Sequence, residues 1–133
     1  MSRLWSPICD QLGIETPIFG FAHDVATVAA ISRAGGYGVY GATRRFPQEI
    51  RDELAEIRSL VGDKPFGVDL VLPPGMPEHN SREAIEAEIP QEHKDFVQSI
   101  IDRFDVPAAT KPGMRTRFIR SSEIEAEQIE AVL

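Results

Sequence analysis

The chain has 133 residues, enough for one domain of ordinary size, and its hydrophobic fraction of 42% is typical of a globular protein. It carries 21 acidic and 14 basic residues, and the net charge of −7 argues against nucleic acids or anionic membranes as partners. Its one cysteine, Cys9, excludes an internal disulfide and a cysteine metal cluster. The N-terminal segment contains no apolar signal-peptide core, so we expect a cytoplasmic protein.

Proline, aspartate and glycine mark the predicted ends of the first strand and the first helix. "TPIFGFA" is a short apolar run behind a proline, which predicts a strand over Pro17–Phe19. Asp24 can accept hydrogen bonds from the free amides of a first helical turn, so a helix is expected to begin at Val25. Gly35 and Gly36 are expected to end that helix in a left-handed turn.

Two further strands and a helix follow with short connections. "YGVYGA" (Tyr37–Ala42) and "KPFGVDLVLP" (Lys64–Pro73) are short and almost wholly apolar, which predicts strands covered on both faces. Pro47 suits the first position of a helix, and Gly62 suits its end. The order strand, helix, strand, helix, strand predicts right-handed parallel crossovers in an α/β fold. The second helix should bury an apolar stripe formed by Ile50, Leu54, Ile57 and either Leu60 or Val61.

The pattern changes after Pro73. "PPGMPEHNSREAIEAEIP" predicts a turn and a short acidic helix, whose charged side we interpret as solvent-facing because it lacks a spaced set of metal ligands. "PQEHKDFVQSIIDRF" predicts a longer helix, and "DVPAATKPGMRTRF" predicts a loop. "SSEIEAEQIEAVL" predicts a helix with a capping box of Ser122 and Glu125. The longer helix carries an apolar stripe of Phe96, Val97, Ile100, Ile101 and Phe104.

The last predicted helix runs to Leu133 without a glycine, proline or basic last turn to end it, while Ile124, Ile129 and Val132 still build an apolar face. This pattern favours the N-terminal part of a larger protein. A complete small domain with a frayed last helix is the alternative. If the chain does end there, apolar strand faces would stay uncovered, and we expect self-association into a homo-oligomer.

Three motifs within residues 16–73 carry a resemblance to a known family. "TPIF", "SRAGGYGVYGA" and "KPFGVDLVLP" match, in order, a proline-led first strand, a helix end "SNAGGLG" and a third strand "KPFGVNLLLP". This stretch resembles the start of the nitronate monooxygenases, formerly called 2-nitropropane dioxygenases. The resemblance implies the N-terminal part of an FMN-binding (β/α)8 TIM barrel, with residues 1–133 as a single, partial barrel domain and residues 74–120 as an insertion within it.

The resemblance also implies where the cofactor binds, because barrel enzymes carry their active sites at the carboxyl ends of the strands. The family's catalytic histidine and phosphate-binding glycine loops belong to later strands, so the catalytic residues stay unassigned, with His23 as a candidate acid or base. The loop "GFAHD" lacks the family's methionine, and Asp69 stands where the family has an asparagine that hydrogen-bonds the flavin. The implied FMN-binding residues are Gly20, Phe21, Ala22, His23, Gly41, Ala42 and Asp69.

Each of these positions also has a purely structural interpretation. Gly20 and Gly41 suit either the approach of a planar ring or a tight turn after a strand. Strand alternation places Asp69 on the face opposite to the one that suits packing on helices, where its carboxylate needs donors from a flavin or from a basic residue in an ion pair. His23 also suits a surface position beside a helix start.

The function that the resemblance implies is oxidation of a nitronate or a similar small substrate by dioxygen at FMN. An NAD(P)H-dependent flavin oxidoreductase or enoyl reductase of the same fold is the enzymatic alternative. A non-catalytic α/β module that binds a partner through its acidic helices is the alternative from another class. We interpret Arg44 and Arg45 as a solvated pair rather than an anion site, and we assign no role to His79 and His93.

Overall fold

The structure is a computed structural model that describes residues 4–110 and 120–133. Its elements in chain order are α1 (Pro7–Leu12), β1 (Phe19–Ala22), α2 (Val25–Arg33), β2 (Tyr37–Gly41), α3 (Pro47–Val61), β3 (Phe66–Asp69), α4 (Arg82–Glu88), α5 (Gln91–Arg103) and α6 (Ser122–Val132). They form two compact units. The first unit comprises the chain up to Pro73 together with Ile124–Leu133, and the second comprises Pro74–Glu123.

A parallel sheet in the order β1-β2-β3 lies in the first unit. Phe19 pairs with Tyr37, and Gly38 pairs with Phe66. The two helical crossovers permit this parallel pairing, since each helix returns the chain to the edge of the sheet where the next strand begins. The prediction of three adjacent parallel strands is confirmed, whereas the closed barrel and the insertion stay predictions.

All three strands have bounds that differ from the predicted ones. β1 spans Phe19–Ala22 rather than the predicted Pro17–Phe19, so it begins two residues and ends three residues later. Its start is late because the Ile18 amide donates to the Thr16 carbonyl at 2.8 Å instead of to the sheet. β2 ends at Gly41, one residue early. β3 covers only four residues, and beyond it the Val71 amide donates to a side chain rather than to a strand.

Helix α2 has the ends that its sequence predicts. Asp24 accepts a hydrogen bond from the Thr27 amide at 2.8 Å, and this bond lowers the pKa of the Asp24 carboxyl because it stabilises the charged form. At the other end Gly35 has a φ of 88°. The Gly35 amide donates to the Ser32 carbonyl, and the Gly36 amide donates to the Ile31 carbonyl. These two bonds form a Schellman motif.

The core of the first unit lies between the sheet and helices α2 and α3. Gly38 permits this close packing, since a Cβ there would lie 2.4 Å from the Val28 carbonyl oxygen. On α3, Val61 rather than Leu60 completes the buried stripe, because their exposed fractions are 6% and 43%. The fully packed core residues are Val28, Ala29, Tyr40, Ala42, Ile50, Ile57 and Val61.

Two helices at the ends of the chain differ from expectation. α1 was not predicted, although Pro7 stands in its first turn, Gly13 follows its end with a φ of 68°, and Cys9 is buried within it. α6 ends at Val132, where Ala131 and Val132 pack against the core. The helix itself begins at Ser122, so Ser122 is its first helical residue rather than its predicted cap.

The second unit contains α4 and α5, both predicted. Ser81 caps α4 by accepting from the Ala84 amide at 3.1 Å. The apolar stripe of α5 is largely exposed, with Phe96 at 66% and Phe104 at 64%. Most of the predicted loop, residues 111–118, lies outside the described part of the chain. Within the described ranges, none of the helices combines the length and apolarity needed to cross a bilayer.

Two truncations on α3 test the placement of the core. Ile57 is fully buried and Leu60 is 43% exposed, although both lie on one helix. We expect Ile57→Ala to lower the free energy of unfolding by about 2–5 kcal/mol, because it leaves a cavity. Leu60→Ala serves as the control and should cost about 0.5 kcal/mol. Urea unfolding measures both values, and equal losses would contradict the packing of α3 described above.

Candidate functional site at the carboxyl ends of the strands

The two faces of the sheet have different environments. Phe66, Val68 and Leu70 pack with Tyr40 and Ala42 against the helices. Residues of opposite alternation form the other face, where Phe19 is 52% exposed and Phe21 is 56% exposed. We call this second face the open face. It consists of Phe19, Phe21, His23, Tyr37, Val39, Gly41, Gly67, Asp69 and Val71.

His23 lies at the end of β1 with its ring over β2. Its Nδ1 is 2.9 Å from the Gly41 carbonyl oxygen, and the edge of its ring meets Phe21 at a centroid distance of 4.9 Å and an angle of 84°. A carbonyl oxygen only accepts, so Nδ1 carries the proton of this bond. In the neutral ring Nε2 then keeps its lone pair, and His23 can accept a hydrogen bond or a proton from a ligand.

Gly41 is required by the side chains that cover it. A Cβ at this position would lie 2.5 Å from Phe21 Cζ and 2.6 Å from His23 Nδ1. Any larger residue would therefore displace the His23 ring from its place above β2. The sequence left two interpretations for Gly41, a tight turn or room for a planar ring. The structure gives a different reason, because the glycine makes room for the imidazole of His23.

Asp69 completes a row of residues across the three strand ends. It is the register partner of Gly41, and its side chain is partly buried on the open face. Neighbouring strands lie about 4.8 Å apart, so the backbones of His23 and Asp69 are roughly 10 Å apart with Gly41 between them. The alternative interpretation was that Asp69 forms a structural ion pair. Within residues 4–110 and 120–133, Asp69 forms no ion pair.

Three of the predicted site residues point away from the open face. A Cβ on Gly20 would lie 2.4 Å from Ile31 Cδ1, so packing against α2 explains the glycine. Ala22 packs against the core and Ala42 is fully buried in it. Only the backbones of these three residues can contact a ligand on the open face, because the side chains of Ala22 and Ala42 lie on the helix side of the sheet and Gly20 has none.

Residues 42–46 form the loop between β2 and α3, which we call the β2–α3 loop. It follows the end of β2 and makes hydrogen bonds to residues just beyond the ends of β1 and β3. Its Arg45 Nε lies 3.0 Å from both carboxylate oxygens of Glu53, and Arg45 Nη2 donates to the His23 carbonyl at 3.4 Å. The buried Tyr40 hydroxyl also donates to Glu53. From the same loop the Thr43 hydroxyl accepts from the Val71 amide at 3.1 Å.

The interpretation of Arg45 as half of a solvated pair is therefore wrong. Its side chain is only 20% exposed and is paired with Glu53, because the short loop turns it back over α3. Arg44, by contrast, is exposed. The spacing of Arg45 and Glu53, eight residues apart across a loop and a helix start, carries no simple sequence signal for this ion pair.

Gln128 is a site-supporting residue that sequence reasoning missed. It is 2% exposed, and its amide nitrogen donates to the Arg45 carbonyl at 2.7 Å and the Thr43 carbonyl at 3.3 Å. The available signal was its spacing, because Ile124, Gln128 and Ala131 recur on one side of a helix. A polar residue inside an apolar stripe indicates a buried group with a partner.

The second unit holds separate polar features. His79 Nδ1 lies 3.0 Å from a carboxylate oxygen of Glu123, with both side chains well exposed. A shallow depression beside this pair is lined by Pro77, His79, Asn80, Ser81, Ala84 and Glu88. In the part of the chain that the structure describes, no three His, Cys, Asp or Glu side chains are grouped to hold a metal ion.

Comparison with known proteins finds a curated relative and similar solved structures. A curated protein of Mycobacterium tuberculosis, described as "Putative monooxygenase Rv1533", is 38% identical over an alignment 111 residues long that covers 77% of this chain and 28% of that protein. The chain thus spans less than a third of this relative's length. Among solved structures, "Structure of FabK (M276A) mutant from Thermotoga maritima" has 29% identity and a TM-score of 0.45, covering 91% of this chain and 36% of that one. No protein-family model matches the chain.

Substitution of Gly41 tests the orientation of His23. In Gly41→Ala the new Cβ would lie 2.6 Å from Nδ1, so we expect the ring to move and the bond to the Gly41 carbonyl to break. Both neutral tautomers should then be populated, whereas the native protein should hold the Nδ1–H form. Two-bond ¹⁵N–¹H correlation spectra of the histidine rings distinguish these states. His79 and His93 are internal controls, and an unchanged His23 spectrum in the variant would refute the assignment.

Proposed function

We propose that this protein is an FMN-dependent oxidoreductase of the nitronate monooxygenase type, to which the chain contributes the first three strands and one side of the flavin site. The observation that carries the proposal is the open face, an exposed apolar surface that ends in His23 and Asp69 at the carboxyl ends of three parallel strands. Ligands of parallel α/β proteins bind at this end of the sheet.

The comparison with known proteins supports the reaction class. The Mycobacterium tuberculosis relative, 38% identical over 111 residues, is named as a monooxygenase. That name agrees with the resemblance of residues 16–73 to nitronate monooxygenases and does not specify a nitronate. Nitronate as the substrate therefore rests on the motifs "SRAGGYG" and "KPFGVDLVLP" alone.

The residues of the open face fit part of FMN. Exposed Phe19 and Phe21 provide an apolar surface for a planar ring, and the imidazole and carboxylate at its edge are hydrogen-bond acceptors. The flavin ring edge and ribityl chain carry N–H and O–H donors that match them. The open face includes no lysine or arginine, so the phosphate would be held by groups outside it.

In this proposal the chain's own residues bind and orient. Bound FMN would supply the transfer of electrons from the substrate and the reaction with dioxygen. His23 would accept a hydrogen bond or a proton at Nε2, because its Nδ1 proton is held by Gly41. Asp69 would accept hydrogen bonds, and its negative charge would disfavour negative charge on the reduced cofactor. The aromatic side chains would exclude water from the ring face.

The proposal is tested on the purified full-length protein. We expect stoichiometric FMN binding, detected as a shift of the visible flavin spectrum, and bleaching of that spectrum by a nitronate under anaerobic conditions with recovery on admission of air. Bleaching by NADH or NADPH instead would indicate the reductase alternative of the same fold. Absence of flavin binding would contradict the proposal.

Asp69→Asn tests the position of the carboxylate relative to the flavin. Removing a negative charge beside the cofactor should favour its reduced form, so we expect a higher flavin midpoint potential with the fold preserved. Asp63→Asn is the matched control, because Asp63 is exposed in the connection between α3 and β3 and loses the same charge. Equal potentials in wild type and Asp69→Asn would remove Asp69 from the flavin site.

A further inference from the structure

The β2–α3 loop is held from two sides within the first unit. On the buried side, Gln128 of α6 donates to the Arg45 and Thr43 carbonyls at 2.7 and 3.3 Å. On the outer side, the Arg45 guanidinium bridges Glu53 and the His23 carbonyl. We propose that Gln128 is a positioning residue, which orients His23 through Arg45 and thereby couples the docking of α6 to ligand binding on the open face.

The first step is the buried amide. Gln128 is 2% exposed, and its side-chain nitrogen contacts two carbonyls that precede α3. Carbonyls in a loop have no regular backbone partners, so a donor brought from elsewhere in the chain decides the path of the loop. Apolar contact alone would not select this path, because it does not specify where a carbonyl points.

The second step runs from the loop to His23. With its backbone held by Gln128, Arg45 sends its side chain between α3 and the end of β1. Glu53 fixes the guanidinium through two contacts of 3.0 Å and is itself bound by the Tyr40 hydroxyl. The planar guanidinium can hold the carboxylate and the His23 carbonyl together, since its donors form a rigid fork.

The third step is the orientation of the imidazole. The His23 backbone is held at its carbonyl by Arg45, and its ring is held at Nδ1 by the Gly41 carbonyl, two residues before Thr43. The first contact depends directly on the path of the β2–α3 loop, and the second lies at the last residue of β2, next to the start of that loop. Without the Gln128 amide we expect the loop to relax, the Nδ1 bond to weaken and Nε2 to lose its fixed direction.

If Gln128 had a purely structural role, its loss would affect the site no differently from the loss of an apolar contact of α6. Val132 also joins α6 to the core, but by apolar packing. If Gln128 only anchors the helix, its loss and the truncation of Val132 should have the same consequences for the site. The proposal predicts that the two variants differ at His23 even where they destabilise the protein equally.

Gln128→Met and Val132→Ala form the matched pair for the experiment. Methionine keeps the length and helix propensity of glutamine and removes both donors. The first readout needs no cofactor: ¹⁵N–¹H spectra of the His23 ring should show loss of the pure Nδ1–H tautomer in Gln128→Met only. The second is the FMN dissociation constant, which should rise about three- to tenfold in Gln128→Met, the equivalent of one hydrogen bond, and stay unchanged in Val132→Ala.

Arg45→Lys provides an independent variant should Gln128→Met fail to fold. Lysine keeps the charge opposite Glu53 and loses the fork that reaches the His23 carbonyl, so the His23 spectrum should change in the same direction. An unchanged His23 tautomer in Arg45→Lys, or in a folded Gln128→Met, would overturn the proposal. The coupling to binding rests on the proposed function. A wild-type protein that binds no FMN would reject that function, while the His23 spectra would still decide the positioning role.

Discussion

Parallel pairing on both sides of β2 is the constraint on which the described structure of the first unit depends. It brings the carboxyl ends of β1, β2 and β3 to one edge of the sheet, where His23, Gly41 and Asp69 stand in a row. The pairing requires helices that pack close to the sheet, and Gly38 permits the approach of α2 to β2. Because one sheet face is taken by these helices, polar side chains of opposite alternation must lie together on the open face.

Three glycines within the strands are required by close packing rather than by backbone conformation. Gly20 and Gly38 make room for α2, and Gly41 makes room for the ring of His23. All three lie in strands, where glycine is unfavourable for its own sake. The free energy that these glycines cost the strands is offset by close packing on the helix side and by the fixed imidazole of His23 on the open face. The sheet is therefore densely packed on one face and carries oriented polar groups at the edge of the other.

Local chemistry accounts for what the sequence predicts correctly. Asp24, Gly35, Pro47 and Gly62 act through their own backbone neighbours, so the ends of α2 and α3 follow from residue type and position. The face on which Asp69 lies follows from the two-residue period of a strand. The core stripe of α3 follows from helical spacing, with only the choice between Leu60 and Val61 left to the structure.

The supporting contacts of the site could not be predicted because they join distant residues. Gln128 meets Thr43 across 85 positions, and Arg45 meets Glu53 and the His23 carbonyl only after the loop has taken its path. The early end of β3 has a similar origin, since the Thr43 hydroxyl takes the Val71 amide. Three-dimensional packing, rather than local propensity, selects these partners.

The most direct measurement is an FMN titration of the ¹⁵N-labelled full-length protein followed through its backbone amide signals. If the open face is the ligand site, the largest shifts will fall at the strand ends, in residues 21–23, 39–43 and 67–71. The β2–α3 loop should respond with them, since it is bound to all three ends. Shifts centred on α4 and α5, or no shifts at saturating FMN, would contradict a flavin site on the open face.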